Sequence, residues 1–297
     1  MTESFITDSL SSYPHPDHAE IIVVRHGQTV WNAERKVQGH LDVELNEIGR
    51  DQARAVADKL SRGPKISAIY SSDLQRAFET AQIIASKCGV PQVVKDFDLR
   101  ERHKGDLQGL SHLEIAKTNP ISYKALMSKN EEQEIPGGGE SIVQLLERCK
   151  SALLRIGQKY KGERVVVVSH GASIEILYKW ACVNGYEGKI HNASISVFHL
   201  YDEDKWNLKV WADVSHLSQR LLEKVAKNDL REVATVNDGR VVNSLSLREV
   251  IQGFSFPALP LMNLIVVGDF NLKSKAQTYI KAYCCAFGCD RTNGEVK

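Results

Sequence analysis

The sequence predicts an α/β fold in which a mostly parallel central sheet is covered by helices on both faces. Two runs of apolar, β-favouring residues, 21–24 and 164–168, indicate buried parallel strands. Helix-like segments separate the strand-like runs, as in folds built from alternating strands and helices. We expect one such domain over residues 19–216, preceded by a flexible segment 1–18 and followed by a poorly defined C-terminal extension, 217–297.

Further segments fit this alternation. Strand-like runs are expected at 66–70, 194–200 and 206–211. Helices with an apolar stripe are expected from the cap Asn46 to Leu60, from Leu74 to Cys88, from 140 to 156 and from about 173 to 182. We interpret residues 71–73 as the end of a strand and the cap of the second helix. A loop at 96–109, short helical pieces and a glycine-rich turn at 136–139 precede the third helix.

Composition restricts the partners and the compartment. The 297 residues include 38 basic and 37 acidic residues, for a formal net charge of +1. This balance provides no broad basic field for nucleic acid, so positive potential must be local, as arginines in a pocket would supply it. Residues 1–20 lack the apolar region of a secretory signal, and their acidic residues argue against a transit peptide. No segment has the length of a membrane span. We expect a cytoplasmic protein without a nucleic-acid or membrane partner.

The cysteines and the C-terminal extension supply no recognisable site. The six cysteines match no common zinc pattern, which favours a reducing compartment. Within the extension, a hairpin is expected around 237–239 and a strand at 261–267. The following Gly268-Asp269-Phe270-Asn271 resembles a motif of metal-dependent nucleases and phosphatases, but its companion acidic and histidine elements are missing.

A cation and an imidazole directly follow the first strand. The motif Arg25-His26-Gly27 stands there, and Thr29 and Asn32 come within a few residues. Ligands of open α/β sheets bind outside the carboxyl ends of such strands. His26 is the candidate nucleophile, because a neutral imidazole can form a covalent phospho-intermediate. Arg25 would bind phosphoryl oxygens through its planar fork, and Gly27 would let the backbone turn and approach a ligand.

The same arrangement occurs a second time. The strand-like run 164–168 ends in Ser169-His170-Gly171. A single histidine at a strand end is often a hydrogen-bonded structural residue. Two instances, one of them preceded by an arginine, favour a functional interpretation.

Two further charged residues complete the candidate set. Arg76 lies in the first turn of a helix, and its position at the carboxyl edge of the sheet favours a phosphate-binding role over ordinary exposure. Glu101 follows a predicted strand and precedes Gly105 and Gly109 in a charged loop. We predict that Glu101 protonates the leaving oxygen as a general acid and then activates water as a base.

The order of these motifs resembles that of a known family. The four motifs are Arg25-His26-Gly27, Ser72-Asp73-Leu74-Gln75-Arg76-Ala77, Arg100-Glu101-Arg102-His103-Lys104-Gly105 and Ser169-His170-Gly171. In this order they resemble the histidine phosphatase superfamily, and specifically its phosphoglycerate-mutase-like branch. The resemblance covers residues 19–216.

The resemblance implies a role for each candidate residue. His26 would be the phosphorylated nucleophile, and Glu101 would be the proton donor. The phosphoryl group would be held by Arg25, Arg76 and His170, with assistance from Asn32, Thr29 and the Gly171 amide. No metal ion or other cofactor is implied, because arginines and imidazolium would stabilise the transferred charge.

The branch contains both phosphatases and mutases. Mutases that resemble this chain usually carry a longer insertion after the glutamate loop, which shields the phosphohistidine from water. Here the corresponding segment 110–136 is short and polar, and the segments 38–42 and 136–141 also look like those of phosphatases. Because access of water favours hydrolysis, we expect a phosphatase. The alternatives are a cofactor-dependent phosphoglycerate mutase and a non-catalytic phosphate-binding module.

The substrate is expected to be a small phosphorylated metabolite. Plant metal-independent phosphoserine phosphatases are the members that the chain most resembles, so phosphoserine ranks first, followed by sugar and carboxylic-acid phosphates. Four cations are candidates for reading a substrate carboxylate, although each is more simply interpreted as a solvated surface charge: His103, Lys104, Lys117 and Lys124. Exposed edge strands would allow a homodimer.

Overall fold

A computed structural model describes residues 15–182, 189–202 and 205–218, together with Leu221. Packing divides the chain into the units 1–235 and 236–297, and the second unit lies wholly outside the described residues. The expected hairpin around 237–239, the strand at 261–267, the Gly268 motif and the last three cysteines therefore lie outside the described residues, as do residues 1–14 of the expected N-terminal segment.

The described strands form one mixed sheet. They are β1 (Ala19–Arg25), β2 (Ala68–Ser71), β3 (Val93–Lys95), β4 (Arg164–Ser169), β5 (Ile195–Asp202) and β6 (Lys205–Asp213). Their order is β3-β2-β4-β1-β5-β6. The first four strands are parallel to one another, whereas β5 is antiparallel to β1 and β6 is antiparallel to β5. The predicted mostly parallel α/β sheet is confirmed. No bounds were predicted for the edge strand β3.

Seven helices are described, and most begin at a side-chain cap. They are α1 (Val30–Ala33), α2 (Glu47–Leu60), α3 (Gln75–Cys88), α4 (His112–Thr118), α5 (Pro120–Leu126), α6 (Ile142–Lys159) and α7 (Gly171–Ala181). Asn46 caps α2 by accepting a hydrogen bond from the Gly49 amide, as predicted. The helix expected from about 173 begins two residues earlier, directly after His170.

The cap expected for α3 at residues 71–73 is wrong. Leu74 is the N-cap residue of α3, and its side chain makes no capping hydrogen bond. The Asp73 carboxylate instead accepts two hydrogen bonds from Arg100, at 2.7 and 2.5 Å. A bidentate charge-assisted pair is stronger than a cap to a neutral amide, so the carboxylate turns away from the helix.

Alternation along the central strands builds a core on each face of the sheet. On one face, Ile22 and Val24 of β1 pack with apolar side chains of α2 and α3. On the other face, Ile21 and Val23 pack with those of α6 and α7. Because successive side chains of a strand point to opposite faces, an unbroken apolar run is what a strand covered on both sides requires. The predicted helices on both faces are confirmed.

The segment between residues 105 and 136 is more ordered than its polar composition suggests. It contains α4 and α5, the short helical pieces expected there, and three of its side chains, Leu107, Ile115 and Ile135, form a small buried core with Val37. Among the described residues, no helix is both long enough and apolar enough to cross a bilayer.

Candidate active site

The register of β1 and β4 brings two distant histidines together. Arg25 is paired with Ser169 at the carboxyl ends of the two strands, so His26 and His170 leave the sheet side by side. The His26 amide donates to the Ser169 carbonyl at 3.0 Å, and the two ring centroids are 5.1 Å apart. His26 is 2% exposed and His170 is 0% exposed. This buried pair forms the centre of the candidate site.

The His26 ring is prepared to act as a nucleophile. Its Nδ1 lies 2.7 Å from the Gly27 carbonyl oxygen, and because a carbonyl can only accept, Nδ1 carries the proton. The lone pair is therefore on Nε2. Burial lowers the pKa of His26 well below its ordinary value, and the positive charges of Arg76 and Arg25 lower it further. The imidazole is consequently neutral at physiological pH, as nucleophilic attack requires.

Gly27 is required for a different reason from the one predicted. A Cβ at this position would collide with the main-chain carbonyl of Gly49 in α2. The glycine therefore permits close packing between the end of β1 and α2, and its φ angle is not in the left-handed region. The Gly27 amide also donates to the Thr80 hydroxyl at 3.1 Å, which fixes the peptide that follows His26.

Arg76 is completely buried and carries unfilled donor capacity. It is 0% exposed, and its Nη1 and Nη2 donate to the carbonyls of Leu41 and Gly39 at 2.9 and 2.7 Å. Its Nε has no hydrogen-bond partner among the described residues. Burial lowers the pKa of Arg76 to about 10, so the side chain remains charged at neutral pH. A buried cation without an ion pair to a described carboxylate is suited to bind an anionic ligand.

His170 is also a buried residue with unfilled hydrogen-bonding capacity. Neither of its ring nitrogens has a hydrogen-bond partner among the described residues. Burial lowers the pKa of His170 well below its ordinary value, and the charge of Arg76 adds to the effect. The Arg25 guanidinium lies beside Gly171, at the start of α7, and its Nη1 donates to the Ile190 carbonyl at 2.5 Å. The start of α7 thus contributes backbone dipoles to the same site.

The Glu101 carboxylate also reaches the start of α7. One of its oxygens accepts from the Arg102 amide at 2.7 Å, and the other accepts from the Ala172 amide at 3.3 Å. Glu101 favours the charged form of Arg76, so the acid and the phosphate-binding candidate lie within electrostatic reach of each other. The structure therefore brings the predicted nucleophile, acid, arginines and second histidine to one edge of the sheet.

The comparison with known protein families decides the identity. A model of the histidine phosphatase superfamily (branch 1) matches residues 21–214. The chain belongs to the histidine phosphatase superfamily. It is 59% identical over 204 residues to phosphoglycerate mutase-like protein 4 of Arabidopsis thaliana, covering 68% of this chain and 89% of the relative. It is 48% identical over 199 residues to a metal-independent phosphoserine phosphatase of the same organism, covering 67% and 83%.

Solved structures agree with this membership. A phosphoserine phosphatase mutant of Entamoeba histolytica in complex with phosphoserine matches with a TM-score of 0.59 at 28% identity, covering 67% of this chain and 100% of that one. The chain is thus an enzyme of the histidine phosphatase type. Among the described residues, no group of three or more His, Cys, Asp or Glu side chains could hold a metal ion.

Thr29 and Asn32 of this histidine phosphatase shape the loop after the nucleophile. They form the capping box of α1, in which the Asn32 amide donates to the Thr29 hydroxyl at 3.0 Å. The Thr29 hydroxyl also donates to Gln38 at 3.0 Å. Asn192, which the sequence analysis missed, donates to the His26 carbonyl at 3.1 Å and to Asn32 Oδ1 at 3.2 Å. The predicted contact of Thr29 and Asn32 with a ligand stays a prediction.

Arg148 and Glu140 of this histidine phosphatase were also missed, and they hold the Glu101 loop. The Arg148 guanidinium donates to three carbonyls of that loop, those of Asp98, Arg100 and Glu101, at 2.8, 2.7 and 2.8 Å. It also pairs with Glu140 at 2.6 and 2.8 Å. The sequence signal that could have identified Arg148 is its position directly before Cys149, which belongs to the buried stripe of α6.

Proposed function

We propose that the protein hydrolyses a small phosphate monoester through a phosphohistidine at His26, with phosphoserine the first-ranked substrate. The observation that carries this proposal is the set of buried polar atoms without partners beside the neutral His26: Arg76 Nε and the two ring nitrogens of His170, one of which carries a proton. A buried polar group without a partner costs about 1–3 kcal/mol. A phosphoryl group would relieve this cost, because it presents several anionic oxygens to the same small volume.

The first chemical step forms the covalent intermediate. His26 Nε2 attacks phosphorus, and a P–N bond forms as the P–O bond to the alcohol breaks. Glu101, protonated in this step, gives its proton to the departing oxygen, so a neutral alcohol leaves. Arg25, Arg76 and His170 bind the phosphoryl oxygens throughout, and their hydrogen bonds, together with the charge of the two arginines, favour the transition state more than the ground state.

The second step regenerates the enzyme. The Glu101 carboxylate takes a proton from water as the water oxygen attacks phosphorus, and the P–N bond to His26 breaks. Inorganic phosphate leaves, and His26 returns to its neutral form. Glu101 is then protonated again and is ready for the next ester. Atoms and charge balance over the cycle without a further reactant.

Two cations beside Glu101 support a substrate that carries a carboxylate. Lys104 is partly buried rather than a solvated surface charge, and burial lowers its pKa while the Glu101 charge opposes that shift. Burial also lowers the pKa of Arg102, which is 4% exposed. Neither forms an ion pair with a carboxylate among the described residues. Phosphoserine and phosphorylated carboxylic acids supply such a group, and sugar phosphates do not.

A mutase is the second candidate, and one observation favours it. The His26 ring is 2% exposed, so the intermediate is shielded from water more than the short segment 110–136 led us to expect. In the proposed hydrolysis, water enters the space that the alcohol leaves. A non-catalytic binding module is the weaker alternative, because a phosphate-binding site needs neither a neutral nucleophile nor a carboxyl group placed as an acid.

The deciding experiment measures phosphate release from a panel of monoesters that includes phosphoserine, sugar phosphates and phosphorylated carboxylic acids. We expect the highest kcat/KM for phosphoserine, loss of release in His26→Ala, and unchanged release in His15→Ala, whose side chain is 61% exposed.

A second experiment tests the mutase alternative by incubating the same protein with 3-phosphoglycerate and a bisphosphoglycerate primer. Rapid isomerisation with little free phosphate would replace the phosphatase proposal with the mutase. The expected cytoplasmic location and homodimer remain predictions from the sequence.

A further inference from the structure

The loop 38–42 touches both the phosphate-binding arginine and the proton donor. The carbonyls of Gly39 and Leu41 accept from Arg76 at 2.7 and 2.9 Å. His40 lies between these two residues, and its ring Nε2 is 2.6 Å from the main-chain carbonyl oxygen of Glu101. The loop therefore connects the peptide group of Glu101 to the guanidinium of Arg76.

The hydrogen bond from His40 defines its protonation. The Glu101 carbonyl can only accept, so His40 Nε2 carries a proton. Burial lowers the pKa of His40, and the bond to the carbonyl partly offsets this effect. The ring is thus a neutral imidazole that donates from Nε2. This link does not depend on a charge that titrates near neutral pH.

The position of the His40 ring is itself fixed. The His40 amide donates to Gln108 Oε1 at 2.7 Å, and the ring packs edge-on against His103 with 4.7 Å between centroids. Gly39 has φ +53°, and a Cβ there would collide with the Gln108 side chain, so the loop accepts only glycine at that point without distortion. The loop cannot easily move His40 relative to Arg76.

Two donors share the Glu101 carbonyl, and they come from different parts of the fold. Arg148 Nη2 binds it from α6 at 2.8 Å, whereas His40 binds it from the loop that holds Arg76. Arg148 ties the peptide to the scaffold. His40 alone, among these two donors, ties it to the phosphate-binding arginine.

We infer that His40 is a positioning residue for proton donation, which sets the Glu101 carboxyl group relative to the phosphoryl group held by Arg76. The inference rests on the proposed function. Its consequence is selective: His40 matters when the departing oxygen needs a proton, as an alkyl alcohol does. It matters little when the leaving group departs without one, as p-nitrophenolate does.

The test compares kcat/KM, which reports the step in which the ester bond breaks, for the best alkyl ester of the panel and for p-nitrophenyl phosphate. The variants are His40→Met, which removes the donor, His40→Gln, whose amide can reach the position of Nε2, and His40→Asn, whose amide falls short. We expect His40→Met and His40→Asn to lose about tenfold or more on the alkyl ester and about threefold or less on the aryl ester. His40→Gln should recover most of the loss.

A double-mutant cycle separates positioning from a general structural effect. Glu101→Ala should show the same selectivity for the alkyl ester, and adding His40→Met to it should cause little further loss. Equal losses on both esters, or full additivity with Glu101→Ala, would overturn the inference. Should His40→Met fail to fold, the comparison of His40→Gln with His40→Asn gives the same decision. If the unmodified protein releases phosphate from no ester, the proposed function fails, and the inference fails with it.

Discussion

The rings of His26 and His170 lie 5.1 Å apart at the ends of two adjacent parallel strands, although they belong to distant parts of the chain. Both are buried, and burial together with neighbouring arginines keeps both neutral in the unliganded site. One ring offers a lone pair on Nε2, and the other offers two nitrogens without partners. A buried site with these groups is suited to bind a phosphoryl anion and to attack its phosphorus atom.

The low pKa of His26 predicts where activity is lost in acid. The proposed nucleophile His26 can attack only when neutral, and its pKa is lowered from 6.5 by burial and by Arg76 and Arg25. The acid limb of kcat/KM should therefore lie below pH 6.5 rather than at it. Replacement of Arg76 by methionine removes one of the causes, so the limb should move to higher pH in that variant. An acid limb at or above pH 6.5 in the unmodified enzyme would contradict the assignment.

The same histidines predict how stability depends on pH. Their folded-state pKa values are lowered, so the unfolded chain binds more protons below its histidine pKa of about 6.5. Stability should therefore fall as the pH is lowered from 6.5, by up to about 1.4 kcal/mol per pH unit for each such histidine. Urea unfolding at pH 7 and pH 5 measures this loss. His170→Gln should lose less over that interval, although His18, His40 and His216 also have lowered pKa values and keep some dependence.

Removal of the Arg148 guanidinium should lower the free energy of unfolding and also reduce activity, because this side chain holds the loop that carries Glu101. Arg148→Met leaves the Glu140 carboxylate without its ion-pair partner and removes one donor from each of three loop carbonyls, which we expect to cost about 3 kcal/mol. Arg54→Met is the matched control, since that arginine pairs with Asp51 on an exposed surface, where such pairs are worth about 1 kcal/mol or less. Urea unfolding measures the loss of unfolding free energy in Arg148→Met and in Arg54→Met. Equal losses in the two variants would show that the Arg148 pair is worth no more than an exposed ion pair.

Binding of orthovanadate or inorganic phosphate tests whether Arg76 binds an anion in the active site. Arg76→Lys keeps the charge but loses the planar guanidinium. In the unmodified protein that group donates to two carbonyls through Nη1 and Nη2 and leaves Nε for a ligand. We expect inhibition by either anion to weaken about tenfold or more in this variant. Arg50→Lys, which changes an arginine paired with Glu47 and Glu79 outside the site, should leave the inhibition constants unchanged. Unaltered inhibition of Arg76→Lys would contradict its role.

Much of the fold was predictable because its causes are local. The apolar runs of β1 and β4 had to be covered on both faces, and the caps and stripes of α2 and α6 mark those helices in the sequence. Parallel strands place the candidate residues at one edge of the sheet, as expected. The pairing of His26 with His170 also needs β1 and β4 to be neighbours, and that strand order was not predicted.

The supporting residues were not predictable for a physical reason. Arg148 acts on loop carbonyls about 50 residues earlier, and His40 acts on a carbonyl 61 residues later. Main-chain acceptors carry no sequence signature, so no pattern marks their donors. Asp73 was assigned wrongly for a related reason, since a local cap was predicted and a distant arginine competed for the carboxylate. Gly27 illustrates the same limit, because helix packing requires the glycine there.

The most direct test of the account is to quench the enzyme in alkali during turnover of its best monoester and to locate the phosphoryl group by mass spectrometry. We predict an acid-labile, alkali-stable phosphate on His26, absent from His26→Ala and accumulated in a Glu101 variant given an aryl ester. A modification on another side chain, or turnover in His26→Ala with no phosphorylated intermediate, would contradict the central claim that a neutral imidazole at position 26 attacks phosphorus.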